Sequence, residues 1–325
     1  MFVVISIAVG SVFIPPEVIA LLLFNRTLGL DTPVDWQGFA TILFSLRLPR
    51  TALVMLAGMA LSGSGAAYQG LFRNPLADPY LVGVASGAGL GAVIAMSVRW
   101  PYSTLGLLAV PLAALAGGLL TVAVVYRLAR INQVLPISNL ILAGVAASSF
   151  TTSLTSFLMI RSTGEIHRSL VWLLGGATMS GWQPVLASLP YIAGGLGVLI
   201  AMGHALNILQ FGDEQAQQLG LHANRIRRII ILSATLTTAA AISFAGVIGF
   251  VGLVVPHVVR MIWGPDYRHL IPLAVIIGAS FLLGADVLAR ILISPSEVPL
   301  GIITALTGAP FFLWIMRRAR SQTLW

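Results

Sequence analysis

"IIILSATLTTAAAISFAGVIGFVGLVVPHVVRMI", residues 229–262, is the apolar run whose reading decides how often this chain crosses a bilayer. One spanning helix needs about 20 predominantly apolar residues, so the run is long for one crossing and short for two. Its centre, "FAGVIGFVG" at 244–252, is glycine-rich, and Pro256 follows; both interrupt helices. The flanks settle the count. The densest basic clusters are Arg127 with Arg130, then Arg225, Arg227 and Arg228, then Arg317, Arg318 and Arg320, and cytoplasmic loops are the ones that carry excess basic charge. An even number of crossings must then follow residue 228. The runs 270–288 and 299–316 supply two, so 229–262 supplies two more, one of them short or broken.

Six further apolar runs precede it, at 2–24, 51–70, 80–98, 104–126, 139–160 and 185–206. The expectation is an all-α polytopic membrane protein of ten spans with both termini cytoplasmic, folded as a single domain over residues 1–325. Composition agrees: 58% of the residues are hydrophobic and 9% charged, against about 25% charged in an ordinary soluble domain, and mean hydropathy is +0.96. The chain enters apolar sequence at Phe2 without a basic leader, so residues 2–24 read as a first span rather than a signal peptide, and a cytoplasmic leader ahead of it is expected.

The net charge is +8, and all 18 basic residues are arginine. Without lysine there is no Walker A loop, whose lysine reaches the nucleotide phosphates. If ATP drives this protein, another chain hydrolyses it. The arginines lie in short loops between spans and so orient the chain rather than mark nucleic-acid binding. There is no cysteine, which removes disulfides and thiolate metal sites. His257 has Met261 one turn on rather than a second histidine, and His167 reads as a loop residue, so no metal site is expected.

The longest polar stretch, "FGDEQAQQLGLHANRIRR" at 211–228, reads as a short cytoplasmic helix. Gly212 ends the span before it. Asp213 and Glu214 stand in a first turn, where exposed amides favour negative charge; Gly220 can close the helix in a left-handed cap, and Asn224 can start the next one. A helix this short is marginal alone. Small residues crowd "GMALSGSGAAYQG" (58–70) and "GVASGAGLGA" (83–92), which marks interior spans that approach closely. "RLPR" (47–50) followed by a glycine-rich span and "RNPLADP" (73–79), and "RIRR" (225–228) followed by a similar span and "VVPHVVR" (254–260), form a weak inverted repeat, an arrangement common in transporters.

Together with "LRLPR" (46–50), "SGSGAAYQGLFRNPLADPYLVG" (62–83), "GFVGLVVPHVVR" (249–260), "GADVLAR" (284–290) and "EVPLGIITALTGAPFFLWIMRR" (297–318), these features resemble the permease subunits of ABC importers for ferric siderophores, haem and vitamin B12. The resemblance covers nearly the whole chain. It implies a homodimer, or sometimes a heterodimer, in the bacterial cytoplasmic membrane, with two cytoplasmic ATPase subunits below and an extracytoplasmic substrate-binding protein above. No cofactor is implied. It also assigns roles. Arg47, Arg50 and Arg290 would meet acidic residues of the binding protein, a task suited to arginine's planar fork; Arg290 has Asp286 as a local partner at i, i+4. Asn74 and Leu76, with Ser138 and Asn139, would form the cytoplasmic gate. Asp213, Glu214, Ala216, Gln217, Gln218, Leu219 and Gly220, within a coupling loop at about 207–228, would engage the ATPase, Leu219 and Ala216 as its apolar contacts.

Two other classes fit the sequence less well. A secondary transporter driven by an ion gradient carries ionisable residues deep in its spans, whereas Asp286 alone lies well inside a run and sits beside Arg290. An intramembrane enzyme needs paired carboxylates, a metal cluster or a nucleophile with its base; none is legible.

Overall fold

The computed structural model describes residues 1–10, 12–31, 33–98, 100, 104–131, 135–161, 165–176, 181–293 and 296–322; Arg99, and the side chains of Arg318 and Arg320, lie outside what is described. The regular elements among the described residues are helices, in the order α1 (Phe2–Ala8), α2 (Pro16–Leu28), α3 (Gln37–Thr41), a π turn (Ile42–Arg47), α4 (Leu48–Phe72), α5 (Val84–Met96), α6 (Thr104–Ala129), α7 (Ile137–Arg161), α8 (Ile166–Leu173), α9 (Trp182–Ala201), α10 (Gly203–Leu209), α11 (Asp213–Gln218), α12 (Ala223–Ala245), α13 (Val251–Trp263), α14 (Tyr267–Ile291) and α15 (Leu300–Gln322). Among the described residues, six helical stretches are long and apolar enough to cross a membrane: Gln37–Phe72, Leu108–Ala129, Ile137–Arg161, Trp182–Ala201, Ala223–Ala245 and Tyr267–Ile291. Val84–Met96, Val251–Trp263 and Leu300–Ile315 are shorter apolar helices. The protein is a multi-pass helical membrane protein.

α4 is the central rod. Every residue from Ala60 to Phe72 is buried, the signature of a helix surrounded by others, and α9, α12, α13 and α14 pack around it. Small residues permit this. A Cβ on Gly65 would overlap the Gly252 carbonyl of α13, and one on Gly58 the Gly278 carbonyl of α14. Ser62 adds a hydrogen bond of 2.7 Å to the Ala274 carbonyl, and Tyr68 one of 2.8 Å to Thr235 of α12. Backbone approach and buried hydroxyl bonds hold membrane helices together where water cannot drive them.

The 229–262 run breaks where its glycines are. α12 ends at Ala245, Gly246 has φ +79°, and Phe250 adopts φ +67° before α13 begins. Tyr80 donates to the Ile248 carbonyl at 2.7 Å, which supplies one of the partners that broken backbone needs inside a bilayer.

Two expected spans are built differently. Residues 2–24 are not one helix: α1 stops at Ala8 and α2 starts at Pro16, with Gly10 and the Pro15–Pro16 pair between them. Proline at 16 has no N–H to continue the ladder. The 185–206 run likewise divides into α9 and α10. Asn224 does not begin a helix; α12 starts one residue earlier, with His222 at its N-cap and no side-chain cap.

Candidate functional site

α4 has 25 residues, and at about 1.5 Å of rise per residue it spans roughly 37 Å. Arg50 lies in its first turn and Arg73 is its C-cap. Two ionic clusters, one around each arginine, therefore stand at opposite ends of the same rod.

The first cluster brings Arg47, Arg50 and Arg290 together and gives them different work. Arg47 is buried and donates to the carbonyls of Ile7 at 2.6 Å, Ala8 at 2.8 Å and Val12. Arg290 is buried too; it donates to the Ser6 carbonyl and hydroxyl at 3.0 Å and to the Val9 carbonyl at 2.9 Å. These carbonyls lie in the last turn of α1 and in the irregular segment after it, and unpaired backbone oxygens are costly in a bilayer. Asp286 is fully buried and pairs with Arg290 at 2.8 Å, the expected i, i+4 contact, and with Arg50 at 2.9 Å. Arg50 keeps 25% of its side chain exposed and reaches Glu297 at 2.6 Å. Glu297 is a partner that the sequence pattern did not single out. Its scarcity was the available signal, since the chain has only ten acidic residues.

At the other end, α11 forms where the polar stretch suggested. Gly212, at φ +115°, turns the chain into it, and Gly220, at φ +81°, turns it out; the Leu221 amide donates back to the Ala216 carbonyl at 2.9 Å and the Gly220 amide to Gln217 at 2.9 Å. Glu214, Gln217, Gln218, Leu219 and Gly220 are exposed, Leu219 at 64%. Ala216 is fully buried against its own subunit, so the apolar contact expected of it is made inside the chain. Phe211, just before Gly212, is a second large apolar side chain left exposed here, at 69%. Asp213 binds two arginines: Arg73 at 3.2 Å and the buried Arg227. This three-residue bridge could not be foreseen, because Arg73 and Asp213 are 140 positions apart.

The bridge ends at the "NPL" turn. The Asn74 side-chain oxygen accepts from the Leu76 amide at 2.9 Å, and Asp78 caps the short 3-10 turn Pro79–Val82 by accepting from the Tyr80 amide at 2.7 Å. Asp78 is half-buried, and loss of solvent pushes its carboxyl up to about 6 against the opposing pull of that amide. A cleft of about 460 Å³ opens beside it, lined by Asp78, Tyr80, Ser148, Ser149, Gly249 and Phe250. Ser138 and Asn139 stand in the first turn of α7, roughly 15 Å along that helix from Ser148. Among the described residues no group of three His, Asp or Glu side chains could hold a metal.

The FecCD transport family model matches residues 1–318. The chain belongs to that family. It is 40% identical over 318 residues to an uncharacterized ABC transporter permease protein, YvrB, of Bacillus subtilis, covering 97% of this chain and 90% of that one. It is 45% identical over 283 residues to the cobalamin import system permease BtuC of Halobacterium salinarum, covering 87% and 75%, and 37% identical over 308 residues to the hemin transport system permease HmuU of Yersinia pestis, covering 93% and 90%. A solved metal-chelate type ABC transporter in an inward-facing conformation superposes with a TM-score of 0.78 at 29% identity, covering 93% of this chain and 97% of that one. This FecCD protein is a permease subunit of an ABC importer, not an enzyme; ATP hydrolysis belongs to separate subunits. Membership sets aside the ion-gradient reading.

Proposed function

We propose that this permease carries a ferric chelate, haem or a corrinoid through a homodimer of ten-span subunits in a bacterial cytoplasmic membrane, with both termini cytoplasmic. Two ATPase subunits engage α11 through Leu219, Gln217, Gln218 and the acidic pair Asp213 and Glu214, with Gly220 setting the turn. The binding protein docks at the Arg47, Arg50 and Arg290 end. Asn74 and Leu76, together with Ser138 and Asn139, close the pathway on the cytoplasmic side.

The bridge from Arg73 through Asp213 to Arg227 carries this reading. A helix that a motor pushes must be tied to the element that opens, and here α11 shares one carboxylate with the start of the gate turn and with α12. Packed helices and ionic contacts transmit rigid-body shifts of this kind. Substrate needs only weak holding, by cavity shape and a sparse polar lining, because the binding protein supplies selectivity.

The test is reconstitution of the permease with its ATPase and binding protein in liposomes, with labelled haem, a siderophore panel and cobalamin offered in turn. ATP-dependent accumulation of one of these is the expected result. Hydrolysis with no solute accumulating overturns the proposal.

A further inference from the structure

We infer that Glu297 occupies the docking position on Arg50 in the free permease, and that an acidic side chain of the binding protein takes its place when the two proteins meet. This rests on the docking reading above and adds to it an exchange of ion-pair partners. Of the three clustered arginines, Arg47 spends its donors on the carbonyls of residues 7–12, Arg290 divides its own between Asp286 and the Ser6 and Val9 backbone, and both are buried. Arg50 alone has a donor facing outward. Its Nε and Nη2 both contact Asp286 Oδ1, at 3.0 and 2.9 Å, which fixes the inner edge of the guanidinium. Its Nη1 points the other way and holds Glu297 at 2.6 Å.

The two carboxylates on Arg50 differ in what can replace them. Asp286 has no exposed surface, and removing a buried partner leaves an uncompensated charge. Glu297 is 49% exposed, and an exposed ion pair is held weakly and screened by salt. The next residue is anchored independently, since the Val298 amide donates to the Ala289 carbonyl at 3.1 Å. The Glu297 side chain can thus swing away while Val298 stays in place. An incoming carboxylate then finds a fork already oriented by Asp286, and the displaced Glu297 returns to water. The surface favours an acidic partner and opposes one that merely brings its own cations.

The experiment measures the affinity of the assembled transporter, permease with ATPase subunits in nanodiscs, for its cognate binding protein without substrate. Wild type is compared with E297Q, E297D, R50Q and the double variant R50Q/E297Q. E297Q should bind tighter by about twofold to fivefold, the range that a single exposed ion pair carries, and E297D, with a shorter reach, should move the same way by less. R50Q should bind more weakly, and adding E297Q to R50Q should bring no gain. Unchanged binding by R50Q would remove Arg50 from docking and so end the reading beneath the inference. Weaker binding by R50Q together with unchanged or weaker binding by E297Q overturns the exchange alone, as does an E297Q gain that persists without Arg50, which would mark general charge repulsion. If E297Q does not assemble, E297D decides, and no gain from it overturns the exchange.

Discussion

Asp213, in the first turn of α11, accepts from Arg227, a buried arginine 14 residues further on in α12. The contact clamps a six-residue helix that could not persist alone onto one of the most deeply packed helices of the subunit. Arg73, at the C-cap of α4, shares the same carboxylate oxygen, so a single acidic residue holds together the coupling helix, the core and the turn leading to the proposed gate.

Asp213→Asn keeps the shape and loses the charge. Hydrogen bonds to charged groups contribute about 1.5–3 kcal/mol, and part of that should disappear for a half-exposed carboxylate. The transporter should still hydrolyse ATP in proteoliposomes while uptake per ATP falls severalfold; unaltered uptake per ATP would detach the bridge from transmission.

Gly220 has φ +81° and no atom near the position of a Cβ, so a side chain there meets only backbone strain, of roughly 1–2 kcal/mol for a left-handed residue. Gly220→Val, and separately Leu219→Ser, should raise ATP turnover without transport, because the turn or its exposed apolar contact no longer seats in the ATPase. A coupled transporter carrying either substitution would exclude that surface.

Asp286→Ala removes the one carboxylate among the described residues that Arg290 contacts directly, and the inner partner of Arg50. Breaking a buried pair typically costs 3–5 kcal/mol, so the melting temperature in detergent should fall sharply. Glu297→Ala, which touches only the exposed side of Arg50, should leave it nearly unchanged.

Burial raises the Asp78 carboxyl to about 6 from its ordinary value near 3.9. A raised folded value means that the folded state holds the proton more tightly than the unfolded state, so Asp78 makes stability decline as pH rises from about 4 through about 6 and is without effect on the slope above that. Asp78→Asn, which still offers an oxygen to the Tyr80 amide, should flatten that part of the pH–stability profile. An identical slope in the variant would assign it to other groups.

The helical class, the break at Gly246–Phe250, the small-residue faces of α4 and the turn at Gly220 were legible in the sequence because each follows from local chemistry: apolar length, a missing Cβ, a left-handed cap. The resemblance of whole motifs carried the family and hence the class of function. What the sequence by itself could not determine is which charges meet. Arg47 and Arg290 read as outward-facing, yet they turn inward because α1 stops at Ala8 and leaves carbonyls that a bilayer cannot solvate. Ala216 reads as a contact for another protein, yet the turn of α11 points it into the core. Arg73 with Asp213, and Arg50 with Glu297, are joined only when α4 brings its two ends beside segments 140 and 247 residues away; ion pairing depends on distance in space, and no periodicity along the chain encodes it.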